Sequence, residues 1–493
     1  MRRLAGFVWI LAFLFGAAAV QASDPATRAL LAGDAERALE LFRRQIEENP
    51  GDDRAAAGEV EALLALERFD AALEFATRHR AAFDSSAHVL AAQGSALLRA
   101  GRLREAAAAL AVLETDSSAP PRGLIALARL RAAAGAHAEA AGLAARALER
   151  GADDPLVLFW AAESIGDRDR AIELLERYLE ANPSGQEDRL EAARGTLRLQ
   201  RALGEREIWV PESTPARVVL PLRLVWDDYG RKLGYVVEAR IGPKDKPVKL
   251  MLDTGSSGLF LVERMARKRG FEFLSEETAF GGGGDKRHRN RRGVFASFRL
   301  GELRFGAALA GTTRSELEPF GRYHGLLGIQ ALAGYTALLD FQNQELVLTR
   351  IDETTSSAAG EPFWMVSGQM LVSATGSGRS GLFLFDTGAT WSILSRRFAA
   401  ALEDVRLDPT TGVRAFGGTV EDAAIVSGAA VRFGGMSSGE NALRSFDMSV
   451  RSAVGGVEVS GFIGLDLLDA VRVTIDTVAQ RVLVEPARKK KAR

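Results

Sequence analysis

The sequence has no cysteine, which excludes disulfides, thiol nucleophiles, lipid attachment through cysteine and cysteine-ligated metal sites. Its 493 residues include only five histidines, and none stands at a metal-ligand spacing, so neither a metal nor a cofactor is predicted. A glycine-rich phosphate loop and a serine nucleophile elbow are also missing. The formal net charge of −1 gives no electrostatic reason to expect a nucleic-acid partner. Stability must therefore come from burial of apolar side chains, and any chemistry from other groups.

Long apolar runs are scarce, and the one of near membrane-spanning length opens the sequence. Met1, Arg2 and Arg3 precede an apolar run over residues 4–20, and small residues lead up to Ser23. These are the three zones of a secretory signal peptide, so residues 1–22 are predicted to be removed on export, with the bacterial periplasm as the expected compartment. The alternative is an uncleaved membrane anchor, because seventeen residues nearly suffice to cross a bilayer. No integral membrane span is predicted after signal cleavage.

Residues 23–206 show apolar side chains at helical spacing and an internal repeat of about 34 residues. The repeat is marked by a turn residue at nearly constant intervals: Gly33, Glu67, Gly101, Gly135 and Gly166. Each turn residue is followed five positions later by an alanine: Ala38, Ala72, Ala106, Ala140 and Ala171. Pro50 and Pro183 stand where a second helix has to stop. The pattern predicts about five helical hairpins.

A turn glycine, a small residue at a helix crossing and a closing proline resemble the tetratricopeptide repeat family. The resemblance implies an all-α solenoid over residues 23–206, stacked from helical hairpins. It also implies that the array binds a substrate or a protein partner, commonly on its concave face. The alternative is that the array is a rigid spacer or a brace for the rest of the chain.

The composition changes after the helical region. Residues 207–217 contain Pro211 and Pro215 and are predicted to be a linker, whereas alternating, valine-rich segments from residue 218 onward predict β-strands. Within this part a short motif occurs twice, each time directly after an apolar run: Asp253-Thr254-Gly255-Ser256 and Asp386-Thr387-Gly388-Ala389. The repetition predicts two loops that present a carboxylate at the end of a buried strand.

The same landmarks follow each copy of the motif in the same order. A Phe-Gly-Gly turn comes 27 or 30 residues after the aspartate: Phe280, Gly281 and Gly282, then Phe416, Gly417 and Gly418. Two apolar residues and a glycine come next: Leu326, Leu327 and Gly328, then Phe462, Ile463 and Gly464. The order predicts a duplicated lobe, with lobe 1 over residues 218–353 and lobe 2 over residues 362–486. Residues 354–361 are predicted to connect the lobes, and residues 487–493 to form a basic tail.

The duplicated Asp-Thr-Gly motif resembles that of pepsin-like and retropepsin-like aspartic proteases. The resemblance implies a bilobal all-β fold in which Asp253 and Asp386 form the catalytic dyad. It gives supporting roles in the catalytic loops to Thr254, Gly255, Ser256, Thr387 and Gly388. The elements ending in Gly328 and Gly464 are expected to pack against these loops, and the two Phe-Gly-Gly turns to form flaps over the cleft.

Two carboxyls a few ångströms apart cannot both ionise, so they share a proton. One can then polarise a peptide carbonyl while its partner takes a proton from water. The predicted function is an exported aspartic endopeptidase whose repeats recruit a substrate or partner. One alternative is a non-catalytic scaffold that binds peptides on a protease-like fold. Another is that each lobe pairs with a lobe of a second chain, as in retroviral enzymes.

Two finer expectations concern charge at the site. Ser256 offers a hydroxyl to Asp253, whereas Ala389 offers none to Asp386, which predicts Asp253 to be the more acidic member of the pair. The basic run over residues 285–293 is interpreted as a solvated loop. If it overhangs the cleft instead, it would favour acidic substrates.

Overall fold

A computed structural model describes residues 24–227, 229–280, 287–313, 322–351, 359–415, 418–439 and 443–486. The segments predicted as signal peptide and basic tail lie outside the described residues, as does most of the predicted connection between the lobes. The chain divides into two compact units: residues 1–132 with 136–197, and residues 133–135 with 198–493. Among the described helices, none has the length and apolar character required to cross a membrane.

The first unit is helical. Its helices are α1 (Pro25–Leu31), α2 (Ala35–Glu48), α3 (Asp53–Ala65), α4 (Phe69–Ala82), α5 (Ala87–Arg99), α6 (Leu103–Leu110), α7 (Pro121–Ala133), α8 (His137–Arg150), α9 (Pro155–Ser164), α10 (Arg168–Ala181) and α11 (Glu187–Leu203), with a 3₁₀ turn at Ala111–Glu114. Helix α11 continues past the unit boundary at residue 197. Helices α1 to α10 form five consecutive hairpins, which confirms the predicted helical-repeat fold.

The five residues that mark the repeat lie at the turns of these hairpins. All have a positive φ: Gly33 (84°), Glu67 (57°), Gly101 (75°), Gly135 (80°) and Gly166 (73°). Glycine suits such a turn because it has no Cβ, and only Glu67 adopts it against its steric preference. The alanines five positions later lie on the second helix of each hairpin, and four of them are fully buried: Ala38, Ala72, Ala106 and Ala140. The repeat therefore reflects turn geometry and close helix contact.

The second unit is dominated by β-strands. The strands that precede lobe 2 are β1 (Pro211–Ser213), β2 (Arg217–Pro221), β3 (Arg223–Trp226), β4 (Lys232–Ile241), β5 (Lys246–Leu252), β6 (Leu259–Val262), β7 (Glu272–Phe280), β8 (Arg287–Phe295), β9 (Phe298–Leu300), β10 (Leu303–Phe305), β11 (Ala308–Thr313), β12 (Gly325–Leu327), β13 (Tyr335–Asp340) and β14 (Glu345–Arg350). Helix α12 (Glu263–Lys268) and a 3₁₀ turn (Ile329–Leu332) lie among them.

Lobe 2 repeats the arrangement. Its strands are β15 (Glu361–Val366), β16 (Gln369–Gly376), β17 (Arg379–Phe385), β18 (Ile393–Ser395), β19 (Arg406–Ala415), β20 (Gly418–Ser427), β21 (Val431–Phe433), β22 (Met436–Ser437), β23 (Leu443–Phe446), β24 (Gly461–Ile463), β25 (Val471–Asp476) and β26 (Arg481–Pro486). Its helices are α13 (Arg396–Ala400), α14 (Ser449–Gly455) and α15 (Leu465–Leu468). Glu361, the last residue of the predicted connection, begins β15.

The strands form two sheets, and the second is shared by both lobes. An 11-stranded sheet runs β1-β10-β9-β4-β5-β12-β6-β11-β8-β7, with β3 paired to β4. A 15-stranded sheet contains the sequence β2-β14-β13-β25-β26-β15, three strands from the lobe 1 side followed by three from lobe 2. The junction is the antiparallel pair β13 and β25, in which Leu338 lies opposite Thr474. This central group of strands joins the two lobes into one body with a continuous apolar core.

The duplication extends to the register of the strands that carry the aspartates. In lobe 1, β12 runs parallel to β5 with Leu327 opposite Leu252. In lobe 2, β24 runs parallel to β17 with Ile463 opposite Phe385. Strands β5 and β17 each end one residue before the aspartate of their lobe. The bilobal all-β acid-protease fold is therefore confirmed.

The segment predicted as a linker, residues 207–217, differs from that expectation because it contains strand β1 and the start of β2. Pro211 lies opposite Phe305 in the pair of β1 and β10. A proline is tolerated there because β1 ends the sheet. The Trp209 ring packs at 5.4 Å from the rings of both Phe298 and Phe305. Apolar packing thus orders a segment that its prolines indicated to be a linker.

The basic run is also ordered differently from the predicted loop. Residues 287–295 form β8, which pairs with β7 over Glu272–Phe280. The Arg291 guanidinium lies 2.8 Å from the carboxylate of Glu263, and that of Arg292 lies 3.6 Å from Glu277. These two arginines are therefore paired with acidic side chains of their own lobe.

The predicted flaps fall on the hairpins β7–β8 and β19–β20. Phe280 is the last residue of β7, and Gly418 begins β20 opposite Ala415. The remaining predicted flap residues lie outside the described residues: Gly281, Gly282, Phe416 and Gly417. Their role as flaps stays a prediction.

Candidate active site

The two predicted aspartates occupy equivalent positions at the ends of β5 and β17. The backbone N–H of Asp253 donates to the carbonyl of Leu327 at 3.0 Å. The N–H of Asp386 donates to the carbonyl of Ile463 at the same distance of 3.0 Å. Each aspartate is thus fixed by the apolar element of its own lobe, and both side chains are half-buried.

The structure brings the two carboxyl groups together. A Cβ built on Gly255 would lie 2.5 Å from the carboxyl carbon of Asp386, and one built on Gly388 would lie 2.6 Å from that of Asp253. Each carboxyl therefore rests on the backbone of the opposite loop, where only glycine leaves room for it. The two Asp-Thr-Gly loops form one site within a single chain, so no second chain is needed to complete it.

The threonines bind the two loops to each other through four reciprocal hydrogen bonds. The Thr254 hydroxyl donates to the Phe385 carbonyl at 2.6 Å and accepts the N–H of Thr387 at 3.1 Å. The Thr387 hydroxyl donates to the Leu252 carbonyl at 2.8 Å and accepts the N–H of Thr254 at 3.1 Å. Both threonines are 1% exposed, so these groups have no access to water. The network fixes the relative positions of the two carboxyl groups.

We expect Thr254→Val to lower the free energy of unfolding by about 2–4 kcal/mol, because it leaves the Phe385 carbonyl and the Thr387 N–H buried without their partner. Thr254→Ser is the matched control, since it keeps the hydroxyl and removes only a methyl group, at a cost of about 1 kcal/mol. Urea unfolding of both variants beside the wild-type protein measures the difference. Equal losses for valine and serine would show that the network contributes little.

The apolar-apolar-Gly elements pack against the catalytic loops. A Cβ on Gly328 would lie 2.4 Å from the Ser256 carbonyl oxygen, and one on Gly464 would lie 2.5 Å from the backbone of Trp391. Leu326, Leu327, Phe462 and Ile463 are all buried. Their contacts support the geometry that the sequence pattern predicts for these six residues.

The environments of the two carboxyls differ. Burial raises the pKa of Asp253 well above its usual value, and the charge and hydrogen bond of Asp386 raise it further, while the N–H groups of Gly255 and Ser256 oppose the rise. Burial also raises the pKa of Asp386, but the hydrogen bond from Asp253, the N–H groups of Gly388 and Ala389 and the charge of Arg451 counteract it. Burial thus raises the pKa of both carboxyls, and the groups that oppose the rise differ between them.

The backbone hydrogen bonds favour the charged form of Asp386 and thus the shared proton on Asp253, the reverse of the order that the sequence predicts. The N–H groups of Gly388 and Ala389 donate to Asp386 Oδ1 at 2.8 and 3.1 Å, which favours its charged form. Within the described residues, Asp253 Oδ1 is buried and accepts no hydrogen bond. The Ser256 hydroxyl, expected on Asp253, donates instead to the Gly258 carbonyl at 3.2 Å.

Two residues that the sequence did not single out also belong to this site. The Gln369 amide N–H donates to the Gly255 carbonyl at 2.6 Å, and the Arg451 guanidinium donates to the Gln369 side-chain oxygen at 2.5 Å. Gln369 follows the tight turn at Ser367 and Gly368, both with positive φ (49° and 73°). The turn is readable from the sequence, but neither side chain has a fixed spacing from an Asp-Thr-Gly motif.

The hairpin before each catalytic strand reaches the opposite lobe. In lobe 1, Lys232 pairs with the carboxylate of Asp469, which also accepts a hydrogen bond from the Tyr235 hydroxyl. In lobe 2, the Gly368 carbonyl accepts a hydrogen bond from the Gln330 side chain at 3.0 Å. These contacts link the two lobes. In the described part of the chain, no group of three or more His, Asp or Glu residues could hold a metal ion.

A helical-repeat array precedes two β-lobes. The Asp-Thr-Gly loops of the two lobes face each other, and this arrangement defines the acid-protease class of fold. The aspartyl protease family model matches residues 237–331, and the tetratricopeptide repeat family model matches residues 29–96. The two matches agree with the helical-repeat unit and the acid-protease fold that the structure shows.

Among solved structures, the aspartic proteinase from Irpex lacteus is similar to this chain. The two share 14% sequence identity with a TM-score of 0.36, and the match covers 55% of this chain and 98% of that one. The comparison with curated proteins finds no match.

Proposed function

We propose that the protein is an aspartic endopeptidase in which Asp253 and Asp386 activate a water molecule. The observation that carries the proposal is the reciprocal seating of the two carboxyls, each against the glycine of the opposite loop at 2.5 and 2.6 Å from the position of a Cβ. Such proximity, with the pKa of both carboxyls raised and backbone N–H groups favouring the charged form of Asp386, supports separate roles of acid and base. The aspartyl protease match over residues 237–331 supports the same chemistry.

In the proposed mechanism, Asp386 is ionised and Asp253 carries the proton. Asp386 takes a proton from water as the water oxygen attacks the scissile carbonyl carbon, and Asp253 gives its proton to the carbonyl oxygen. The resulting gem-diol collapses when the C–N bond breaks and the amide nitrogen receives a proton from Asp386. A gem-diol hydroxyl returns its proton to Asp253 as the new carboxyl group forms. The two apparent pKa values of the pH–rate profile belong to the pair.

Thr254 and Thr387 are positioning residues in this proposal, because they hold the loops and do not touch the reacting atoms. Gly255 and Gly388 admit the opposite carboxyls, and Ser256 stabilises its own loop through Gly258. The tetratricopeptide repeats provide a surface of the kind that binds proteins, and we propose that they recruit the substrate or a partner. The signal-peptide pattern of residues 1–22 supports export to the periplasm, and the mass of the mature chain tests whether it begins at Ser23.

The test is to incubate wild-type protein and Asp253→Asn with a denatured protein mixture at several pH values and to identify new peptide termini by mass spectrometry. The proposal expects internal cleavage by the wild type with an optimum on the acid side, and none by the variant. A folded wild type that produces the same termini as the variant would instead indicate a peptide-binding scaffold. Comparing termini in the exported fraction of cells carrying each form then identifies the natural substrates.

A further inference from the structure

Strand β4 of lobe 1 has a gap along one edge, between two partner strands. Strand β3 pairs with it up to Arg223 opposite Val236, and β9 pairs with it from Arg299 opposite Arg240. Both partners lie on the same side of β4, because β5 occupies the other side. Within the described residues, 237–239 therefore lie at a notch in the sheet, and a cavity of about 850 Å³ opens there.

This cavity, the lobe 1 groove, is lined by buried apolar side chains and by basic ones. The apolar side chains include Leu220, Val225, Val236 and Val237. The basic side chains come from five positions: Arg223, Arg240, Lys249, Arg299 and Arg322. Among the described residues that line the groove, Glu238 has the one carboxylate. The groove is therefore basic.

Two of the five basic side chains share one carboxylate. Arg240 and Arg299 lie directly opposite each other on β4 and β9, where like charges repel. Asp245 pairs with Arg299, and its carboxylate lies 3.8 Å from the Arg240 guanidinium. A single negative charge thus serves two guanidinium groups, and one positive charge of the pair is left over.

Arg223 and Lys249 add to this excess. Both are exposed, and neither side chain makes an ion pair or a hydrogen bond with another described residue. The backbone of Lys249 is fixed, since its N–H donates to His324 Nδ1 at 2.9 Å. Glu238 lies opposite Lys249 in the sheet and offsets one charge. The groove thus keeps a net positive charge even when Arg322 is not counted.

The positions of these cations suit several carboxylates spread along an extended chain. Arg299, Arg240 and Lys249 lie on three consecutive strands of the sheet, β9, β4 and β5. Neighbouring strands are about 4.8 Å apart, so the outer two backbones are separated by roughly 10 Å. One small anion cannot reach across that distance. Alternate side chains of an extended peptide, about 7 Å apart on one face, can do so.

Strand β3 contributes an open edge to the groove. All four of its residues, Arg223–Trp226, line the cavity, and in the described part of the chain it pairs with β4 alone. An extended peptide can add to such an edge through main-chain hydrogen bonds. The Trp226 side chain, 45% exposed, offers apolar surface beside the cations.

The groove is separate from the catalytic loops. None of the described residues that line it belongs to an Asp-Thr-Gly motif. Lys249 precedes Asp253 by four residues along the extended strand β5, which corresponds to about 13 Å at roughly 3.3 Å per residue. A segment bound in the groove is therefore remote from the bond that is cut.

We propose that the lobe 1 groove is an exosite that binds an acidic, extended segment of the polypeptide substrate. The inference rests on the proposed endopeptidase function, because it names the substrate class, whereas binding of the segment does not require an active dyad. A remote contact is made equally in the ground state and the transition state. It should therefore lower KM and leave kcat unchanged.

Binding is measured by fluorescence anisotropy with full-length Asp253→Asn and two labelled peptides of equal length, one rich in Glu and its Gln counterpart. We expect the Glu peptide to bind about 10-fold or more tightly at low salt, with an advantage that shrinks as salt is added. Arg223→Gln/Lys249→Gln in the same background should weaken its binding about 5-fold or more, the loss expected for two exposed ion pairs. Arg379→Gln/Arg432→Gln is the matched control, because it removes two exposed lobe 2 arginines and changes the net charge equally; it should leave the affinity unchanged.

Kinetics tests whether the groove acts on substrate binding. An acidic segment appended to a cleaved peptide should lower the wild-type KM about 5-fold with little change in kcat, and Arg223→Gln/Lys249→Gln should lose that gain. A gain that appears in kcat and not in KM would contradict a remote binding site.

The outcomes separate this inference from the proposed function. If wild type cleaves nothing, the endopeptidase proposal fails, and the binding assay alone decides the inference. Equal affinities for the Glu and Gln peptides, or equal losses in the groove variant and the lobe 2 control, would overturn it. Equal affinities together with sedimentation of wild type, but not of the groove variant, on phosphatidylglycerol vesicles would assign the groove to an anionic membrane surface instead. Should the double variant misfold by circular dichroism, Arg223→Gln and Lys249→Gln are measured singly, and each should weaken binding of the Glu peptide about 2-fold.

Discussion

Asparagine at position 253 or 386 is expected to lower kcat/KM at least ~10³-fold and, at neutral pH, to raise the thermal unfolding midpoint. Activity falls because asparagine can neither carry the shared proton nor accept one from water. Stability rises because burial raises the pKa of both carboxyls, so that near neutral pH the folded state either keeps a proton that the unfolded chain releases or holds a desolvated charge, and both cost free energy. Catalytic groups kept in such an environment trade stability for function.

The sign of the pH dependence follows from the raised pKa values. Below the pKa of the unfolded carboxyl both states are protonated, and the dyad has no effect on stability. As the pH rises, the unfolded chain releases its protons first, so the wild type loses stability until the folded pKa is passed. The difference in free energy of unfolding between the asparagine variants and wild type should therefore be small near pH 4. It should widen toward pH 7, by roughly 1.4 kcal/mol for each unit of pKa shift.

Thermal unfolding of wild type, Asp253→Asn and Asp386→Asn across this pH range measures this difference. Asp408→Asn serves as the control, because Asp408 pairs with Arg406 at the surface and belongs to neither Asp-Thr-Gly motif. A difference that stays constant with pH, or a variant that still cleaves peptides, would contradict the assignment of these carboxyls as a closely apposed pair with raised pKa values.

The second large effect concerns the glycines of the catalytic loops. Gly255→Ala and Gly388→Ala are each expected to reduce kcat/KM about 100-fold or more, because the new methyl group would lie 2.5 or 2.6 Å from the opposite carboxyl carbon. The threonine hydrogen bonds hold both loops in place. The added methyl group can therefore be accommodated only if a carboxyl group moves. A misplacement of about 1 Å is enough for a loss of this size.

Steady-state kinetics on a cleaved peptide measures this effect, and circular dichroism confirms that the variants are folded. Gly455→Ala is the control: a Cβ there would lie 3.6 Å from Val366, an ordinary contact. Near wild-type rates for Gly255→Ala would mean that the carboxyls do not meet across the loops as described.

Much of the architecture was accessible from the sequence because it depends on local rules that occur twice. An apolar run that ends at Asp-Thr-Gly, followed by an apolar-apolar-Gly element, specifies a strand, a loop and its support, and the structure gives Leu327 and Ile463 identical roles at the two aspartates. The helical repeat was readable for a similar reason. Even Glu67, which breaks the glycine ladder, adopts the same left-handed turn.

The electrostatics of the site was less accessible because it depends on contacts between distant segments. The sequence shows a hydroxyl beside Asp253 and none beside Asp386, which favours placing the proton on Asp386. It does not show that Ser256 bonds within its own loop or that the backbone of Gly388 and Ala389 stabilises the Asp386 charge. Gln369 and Arg451 are 82 positions apart and meet only in the folded lobe.

The central strands of the shared sheet make the halves mutually dependent. Strands β13 and β25 cover each other's hydrogen-bonding edges, with six residues of β13 also paired to β14 on the other side. Cut apart, each half would expose a row of unsatisfied backbone groups, the kind of edge that recruits another copy of itself.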